Sequence, residues 1–145
     1  MQALRYIGRM AAKGVYMTPS GKKPTLPKIR LVIVESPFKA TQERSIEQHR
    51  EYLKHCLADC AKRGESPYAS HLMLTEVLDD DDPHERGFGI KAGWEWAKFA
   101  DAIALYIDMG VSPGMHESIK HYESIGKPIE RRKIDFLLIR SILDM

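Results

Sequence analysis

Two carboxylates flank a glycine turn in the stretch DMGVSPGMHES, residues 108 to 118, directly after the apolar run AIALYI, residues 102 to 107. Asp108 ends a buried-looking strand and Glu117 falls early in the helix that follows. Between them, Ser112-Pro113-Gly114 has the residue types that start a helix. The Ser112 hydroxyl and the free backbone N–H groups of such a start can face an anion. Gly114 lets a ligand approach the backbone closely. The helix dipole favours the ionised form of Glu117. An ionised carboxylate beside a sugar can be a nucleophile or can stabilise an oxocarbenium-like centre. Asp108 is placed to hold a neighbouring group or a proton. The same residues are also ordinary helix-start chemistry, so the surrounding elements must decide between the two readings.

Other candidate groups carry weaker signals. Gly87-x-Gly89-x-x-x-Gly93 is one residue too long for a dinucleotide fingerprint and follows no strong strand, although Arg86 beside it can reach a phosphate. Asp79 to Asp82 with His84 match no calcium-loop spacing and read as a solvated turn. His116 and His121 are five apart, which turns them away from a shared helix face, so no metal site is expected. Cys56 and Cys60 lie four apart on a predicted helix and read as small core residues. Trp94 reads as packing, with base stacking as its functional alternative.

The elements that must position these groups follow from the apolar pattern. IRLVIVE (29–35) is short, β-branched and nearly all apolar, which suits a parallel strand covered on both faces. Thr41 is the expected cap of a long helix that carries Ile46, Leu53, Cys56, Leu57 and Cys60 and stops at Gly64. SPYASHLML (66–74) reads as a second strand with its exit. LDDDDPHERGFG reads as a loop before a helix holding Ile90, Trp94 and Ala97. Residues 102–107 form a third strand, and a helix from about Met115 to Ile125 puts Met115, Ile119 and Tyr122 on one face. Lys127-Pro128-Ile129 leads into a further strand. DFLLIRSIL (135–143) is apolar enough to dock but ambiguous between helix and strand. This alternation predicts an α/β fold, a Rossmann-like (flavodoxin-like) three-layer sandwich with a parallel sheet of about four to five strands. Ligands in such sheets bind beyond the carboxyl ends of the strands. That rule selects the loop from Ser36 through Pro37 and Phe38 to Ala40, the region after His71, and the stretch from Asp108 to Glu117.

The 145 residues suit one domain, and 43% hydrophobic with 29% charged residues is ordinary for a globular chain. No window approaches a membrane span and the N-terminus lacks a continuous apolar stretch, so a cytoplasmic protein with no membrane partner is expected. Residues 1–28 read as a basic arm ending in a Pro/Gly linker, 29–131 as the Rossmann-like core, and 132–145 as a C-terminal docking segment. Seven basic residues and no acid occupy positions 1–30, against 15 basic and 20 acidic in the remainder. The arm lacks the arginine clustering and aromatic interleaving of a nucleic-acid binder, so a nucleic-acid partner is not expected.

The ordered set ESPFKA, ASHLML, DDPHERGFGI, ADAIALYIDMGVSPGMHESI and GKPI resembles the nucleoside 2-deoxyribosyltransferase-like superfamily over roughly residues 29–131. That superfamily includes transferases, deoxynucleotide N-glycosidases and small virus-borne proteins. The resemblance implies a small nucleoside or nucleotide ligand, no metal or organic cofactor, and a homodimer or larger assembly in which the apolar tail would be a contact. It implies Glu117 as the nucleophile at the anomeric carbon, with Asp108 near the sugar or base. Ser112 and Gly114 would sit by the 5′ end, and Ser36, Pro37, Phe38 and His71 would line the base side. Arg86 and Met115 complete the expected ligand-binding set. Active members often carry a tyrosine in the first loop that positions the catalytic glutamate. Phe38 is what this neighbourhood offers.

Three functions follow as expectations. The first is hydrolysis of a nucleoside or nucleotide N-glycosidic bond, or deoxyribosyl transfer, through a glutamate nucleophile. The second is capture of a nucleotide signal without turnover. The third is an interaction module with a vestigial pocket and a working basic arm.

Overall fold

The computed structural model describes residues 28–145, and the expected basic arm lies outside the described residues apart from Lys28. The fold is α/β. Strand β1 (Arg30–Glu35) is followed by α1 (Ile46–Lys62), β2 (Glu65–Tyr68), a short α2 (Ser70–Met73) running into a 3-10 turn (Leu74–Glu76), and α3 (Pro83–Ala97). Then come β3 (Ala102–Tyr106), α4 (Pro113–Ser124), β4 (Ile129–Arg132) and α5 (Phe136–Leu143). The four strands pair in parallel in the order β2-β1-β3-β4. The result is the Rossmann-like three-layer arrangement expected from the alternation of elements.

The layers follow from side-chain alternation on the central strands. Val32 and Val34 of β1, with Ala102, Ala104 and Tyr106 of β3, pack under Tyr52, Leu53, Cys56 and Cys60 of α1 and Ile139 and Ile142 of α5. Ile33 and Ile103 face the other way, onto Ala97 of α3 and Tyr122 of α4. Leu105 meets Met115 and Ile119 of α4 on that same side. Both cysteines are buried and free, as their apolar spacing suggested.

Several boundaries differ from expectation for local reasons. α1 starts at Ile46, because Ser45 and Gln48 form a reciprocal capping box, whereas Thr41 caps only a turn through Arg44 and Glu43. The second strand ends at Tyr68, so His71 belongs to a helix and not to a strand end. α3 begins within the expected loop, at Pro83, because the Asp82 carboxylate accepts the N–H groups of His84 and Glu85. The tail resolves as a helix capped by Asp135, and it docks through Ile139 and Ile142 while Phe136 and Leu137 stay exposed. Among the described residues, no helix is long and apolar enough to cross a membrane.

Candidate functional site

The sheet order changes direction about β1: its first crossover leads to β2 and its second to β3. Ligands in open parallel sheets bind where such a reversal leaves a crevice at the carboxyl ends. A cavity of about 350 Å³ lies there. The loop after β1 supplies Ser36, Pro37, Phe38 and Lys39, and α2 supplies Ser70 and His71. The Asp80–Ile90 region contributes Asp80, Glu85 and Arg86, and the start of α4 contributes Ser112, Gly114 and Met115. Eight of the residues expected to bind ligand therefore line one hollow: Ser36, Pro37, Phe38, His71, Arg86, Ser112, Gly114 and Met115.

The polar groups of this hollow are held by specific partners. Ser36 is buried, and its Oγ lies 3.1 Å from His71 Nε2. Phe38 meets the His71 ring edge-on at 5.6 Å. Burial pushes the His71 pKa down to about 4, so its imidazole is neutral near pH 7. Arg86 donates to Asp80 at 3.1 Å. The Cβ position of Gly114 lies 3.4 Å from Arg86 Nη2, so the guanidinium rests against the start of α4. Ser112 caps that helix by accepting the Met115 N–H at 3.3 Å. A fixed cation and a helix N-terminus thus converge at one end of the cavity, an arrangement suited to an anionic group.

The two expected carboxylates lie elsewhere. Glu117 is exposed and faces an adjoining, shallower cleft of about 230 Å³ with Arg86, Lys91 and Trp94. Ser118, its neighbour, is the residue turned inward. Asp108 accepts from the Tyr52 hydroxyl at 2.7 Å and from the Ile134 N–H at 3.2 Å. It ties α1 and the approach to α5 onto the end of β3, and it is absent from the cavity lining. The acidic run is likewise engaged: Asp80 with Arg86, Asp81 with Lys39, and Asp82 as the α3 cap.

A carboxyl that the sequence pattern did not single out lines the cavity instead. Glu35 is the last residue of β1, on the face opposite Val34, and its Oε1 accepts from the Tyr122 hydroxyl of α4 at 2.5 Å. Removal from water raises its pKa from the ordinary 4.5 to about 7, and the Tyr122 hydrogen bond opposes that rise. Tyr122, 1% exposed, is itself pushed upward by burial and then by the nearby Glu35 charge, so it stays a donor. The available signal was a single acidic residue after the apolar run Leu31–Val34, at the carboxyl edge of the sheet.

A family model described as "Domain of unknown function (DUF7768)" matches residues 30–132. The chain belongs to this family. The DUF7768 span opens on the first residue of β1 and closes on the last of β4, so it contains all four strands and every cavity-lining residue. α5 lies beyond it. A comparison with curated proteins gave no match.

Proposed function

We propose that this DUF7768 domain binds a small nucleoside or nucleotide in the cavity and cleaves its N-glycosidic bond, with Glu35 as the working carboxyl. One observation carries the reading: a carboxyl held by the Tyr122 hydroxyl, with its pKa raised by burial, shares a ligand-sized hollow with a helix start and its neighbouring arginine. A sugar 5′ oxygen or phosphate fits the Ser112–Gly114 end beside Arg86. Phe38 and the neutral His71 offer an apolar and aromatic wall for a base. A carboxyl with a pKa near the working pH can give its proton to the departing base nitrogen as the C1′–N bond breaks. Water adding to C1′ returns a proton to it. The superfamily resemblance calls for a tyrosine that positions the catalytic glutamate. Phe38 cannot do this, but Tyr122 holds Glu35 from the opposite side of the crevice.

A second reading is favoured by the place of Glu117. The glutamate that the resemblance makes a nucleophile sits outside the cavity, which suits capture of a nucleotide without turnover. Both readings are tested by incubating the protein with ribo- and deoxyribonucleosides and their 5′-phosphates while following free base by chromatography. Release of one base supports cleavage. Stoichiometric binding with the ligand recovered intact supports capture. A panel that neither binds nor reacts sinks both.

A further inference from the structure

Ser36 follows the last residue of β1, His71 belongs to α2, and both line the cavity. Their side chains meet at Ser36 Oγ and His71 Nε2, 3.1 Å apart, a contact in which either atom can be the donor. Ser36 is 4% exposed, so the partner of its hydroxyl is His71 or a molecule in the hollow. Among the described residues, no carboxylate pairs with the His71 ring, and Phe38 stands against it. The imidazole is therefore neutral, in keeping with its lowered pKa. Thr75 donates to the His71 carbonyl at 2.7 Å, which anchors the backbone of α2 and leaves the placing of the ring proton open. The other ring nitrogen, Nδ1, has no partner among the described residues and keeps contact with solvent.

A neutral imidazole has one N–H and one nitrogen lone pair to offer, and a serine hydroxyl has one proton. Two arrangements satisfy the same Ser36–His71 contact. In the first, Ser36 donates to Nε2, so Nδ1 carries the ring proton and Ser36 can only accept from a ligand. In the second, Nε2 donates to Ser36, so Nδ1 is an acceptor and the Ser36 proton is free to donate. The bond made by one ring nitrogen sets the state of the other. With no protein partner on Nδ1, the choice is left to whatever occupies the cavity. Nucleobase edges come in these same two polarities. Adenine and cytosine present an amino donor beside a ring-nitrogen acceptor. Hypoxanthine and uracil present an oxo acceptor beside a ring N–H.

We propose that Ser36 and His71 are a specificity-determining pair that reads a base edge of either polarity by exchanging the His71 tautomer. The first arrangement suits the amino edge and the second the oxo edge, and the ring holds one proton in both. The inference deepens the reading of the cavity as a nucleoside or nucleotide site and rests on it. A pocket of fixed polarity rejects the mismatched analogue by orders of magnitude. Selecting one of two comparably populated forms lowers affinity only a few-fold.

The test begins with long-range proton–nitrogen NMR of the full chain without ligand near neutral pH, with the His71 ring assigned by its loss in His71→Gln or by through-bond correlation. Protonated and lone-pair ring nitrogens resonate far apart, and both His71 nitrogens should fall between the two limits. A single fixed tautomer would overturn the proposal whether or not any nucleotide binds. Calorimetry then compares adenosine with inosine 5′-phosphate, and cytidine with uridine 5′-phosphate. The two members of the pair that fits should bind within about fivefold of each other, and His71 should move to opposite tautomers in the two complexes. Ser36→Ala should weaken both members by about fivefold to tenfold, the loss of one hydrogen bond. A loss confined to one member would mean a fixed donor or acceptor and would contradict the exchange. A panel in which no nucleotide binds sinks the nucleotide reading itself, an outcome distinct from binding with the His71 tautomer unmoved, which overturns this inference alone.

Discussion

Glu35 and Glu65 are both withdrawn from bulk water, on opposite faces of one sheet, and the molecule treats them in opposite ways. Glu65 opens β2 beneath α1, where Arg132 forks onto it with contacts of 2.7 and 2.8 Å and Arg30 adds another. The Arg132 and Glu65 side chains are 4% and 8% exposed, and Arg30 and Arg132 also share Glu130. Hydrogen bonds from Arg132, then its charge and those of Arg30, pull the Glu65 pKa down. Glu35 has a neutral tyrosine and a cavity, and its pKa goes up. A buried charge answered by charges is closed chemistry that fixes packing. A buried carboxyl answered by one neutral donor is left able to exchange a proton, which is what the proposed reading asks of Glu35.

Breaking the closed side should have the largest effect. Arg132→Met leaves Glu65 buried with only the half-exposed Arg30, and should cost about 3 kcal/mol of unfolding free energy in urea denaturation. A loss below about 1 kcal/mol would mean that the network is dispensable. The same comparison has a pH form. Glu130 is held at about 2, first by Arg30 and then by Arg132, so its contribution is present above the ordinary carboxylate range and is lost as pH falls through about 2.

Glu35 should act with the opposite sign. Its folded value of about 7 lies above the ordinary 4.5, so the folded state holds the proton more tightly than the unfolded chain. Its contribution is full below the ordinary value and is lost as pH rises through about 7. Glu35→Gln removes that dependence and should stabilise the protein by about 2 kcal/mol at mildly basic pH, with little gain at acidic pH. Equal effects at the two pH values would show that the carboxyl is not desolvated.

Smaller effects sharpen the line between structural and working carboxylates. Asp108→Ala strands the Tyr52 hydroxyl and the Ile134 N–H, and should cost about 1–2 kcal/mol in the same denaturation assay while leaving ligand affinity within twofold. A selective loss of affinity would return Asp108 to the site. Glu117→Gln changes an exposed side chain, and should stay within about 0.5 kcal/mol of wild type.

The parts legible in the sequence are those decided by neighbours along the chain. IRLVIVE reads as a doubly covered strand because nearly every position is apolar. Ser112-Pro113-Gly114 reads as a helix start because cap chemistry is local. The strand-end rule then selects loops of which the parts around Ser36, His71 and Ser112 line one cavity. Glu35 was not legible as a site residue, because the tyrosine that meets it lies 87 positions away. Asp108 looked like site chemistry because Tyr52, its partner, lies 56 positions away. The expected strand through His71 fails for a similar reason. Ser70 packs against Gly93, where a Cβ would stand 2.4 Å from the serine hydroxyl, and that contact seats α2 against α3.

The most direct test of the central claim compares base release by wild type, Glu35→Gln and Glu117→Gln on whichever nucleoside or nucleotide the wild type cleaves, with binding measured alongside. If Glu35 is the working carboxyl, Glu35→Gln binds the ligand and releases no base, while Glu117→Gln releases it at close to the wild-type rate. Loss of release in Glu117→Gln with full activity in Glu35→Gln would contradict the account and return the chemistry to the outer cleft.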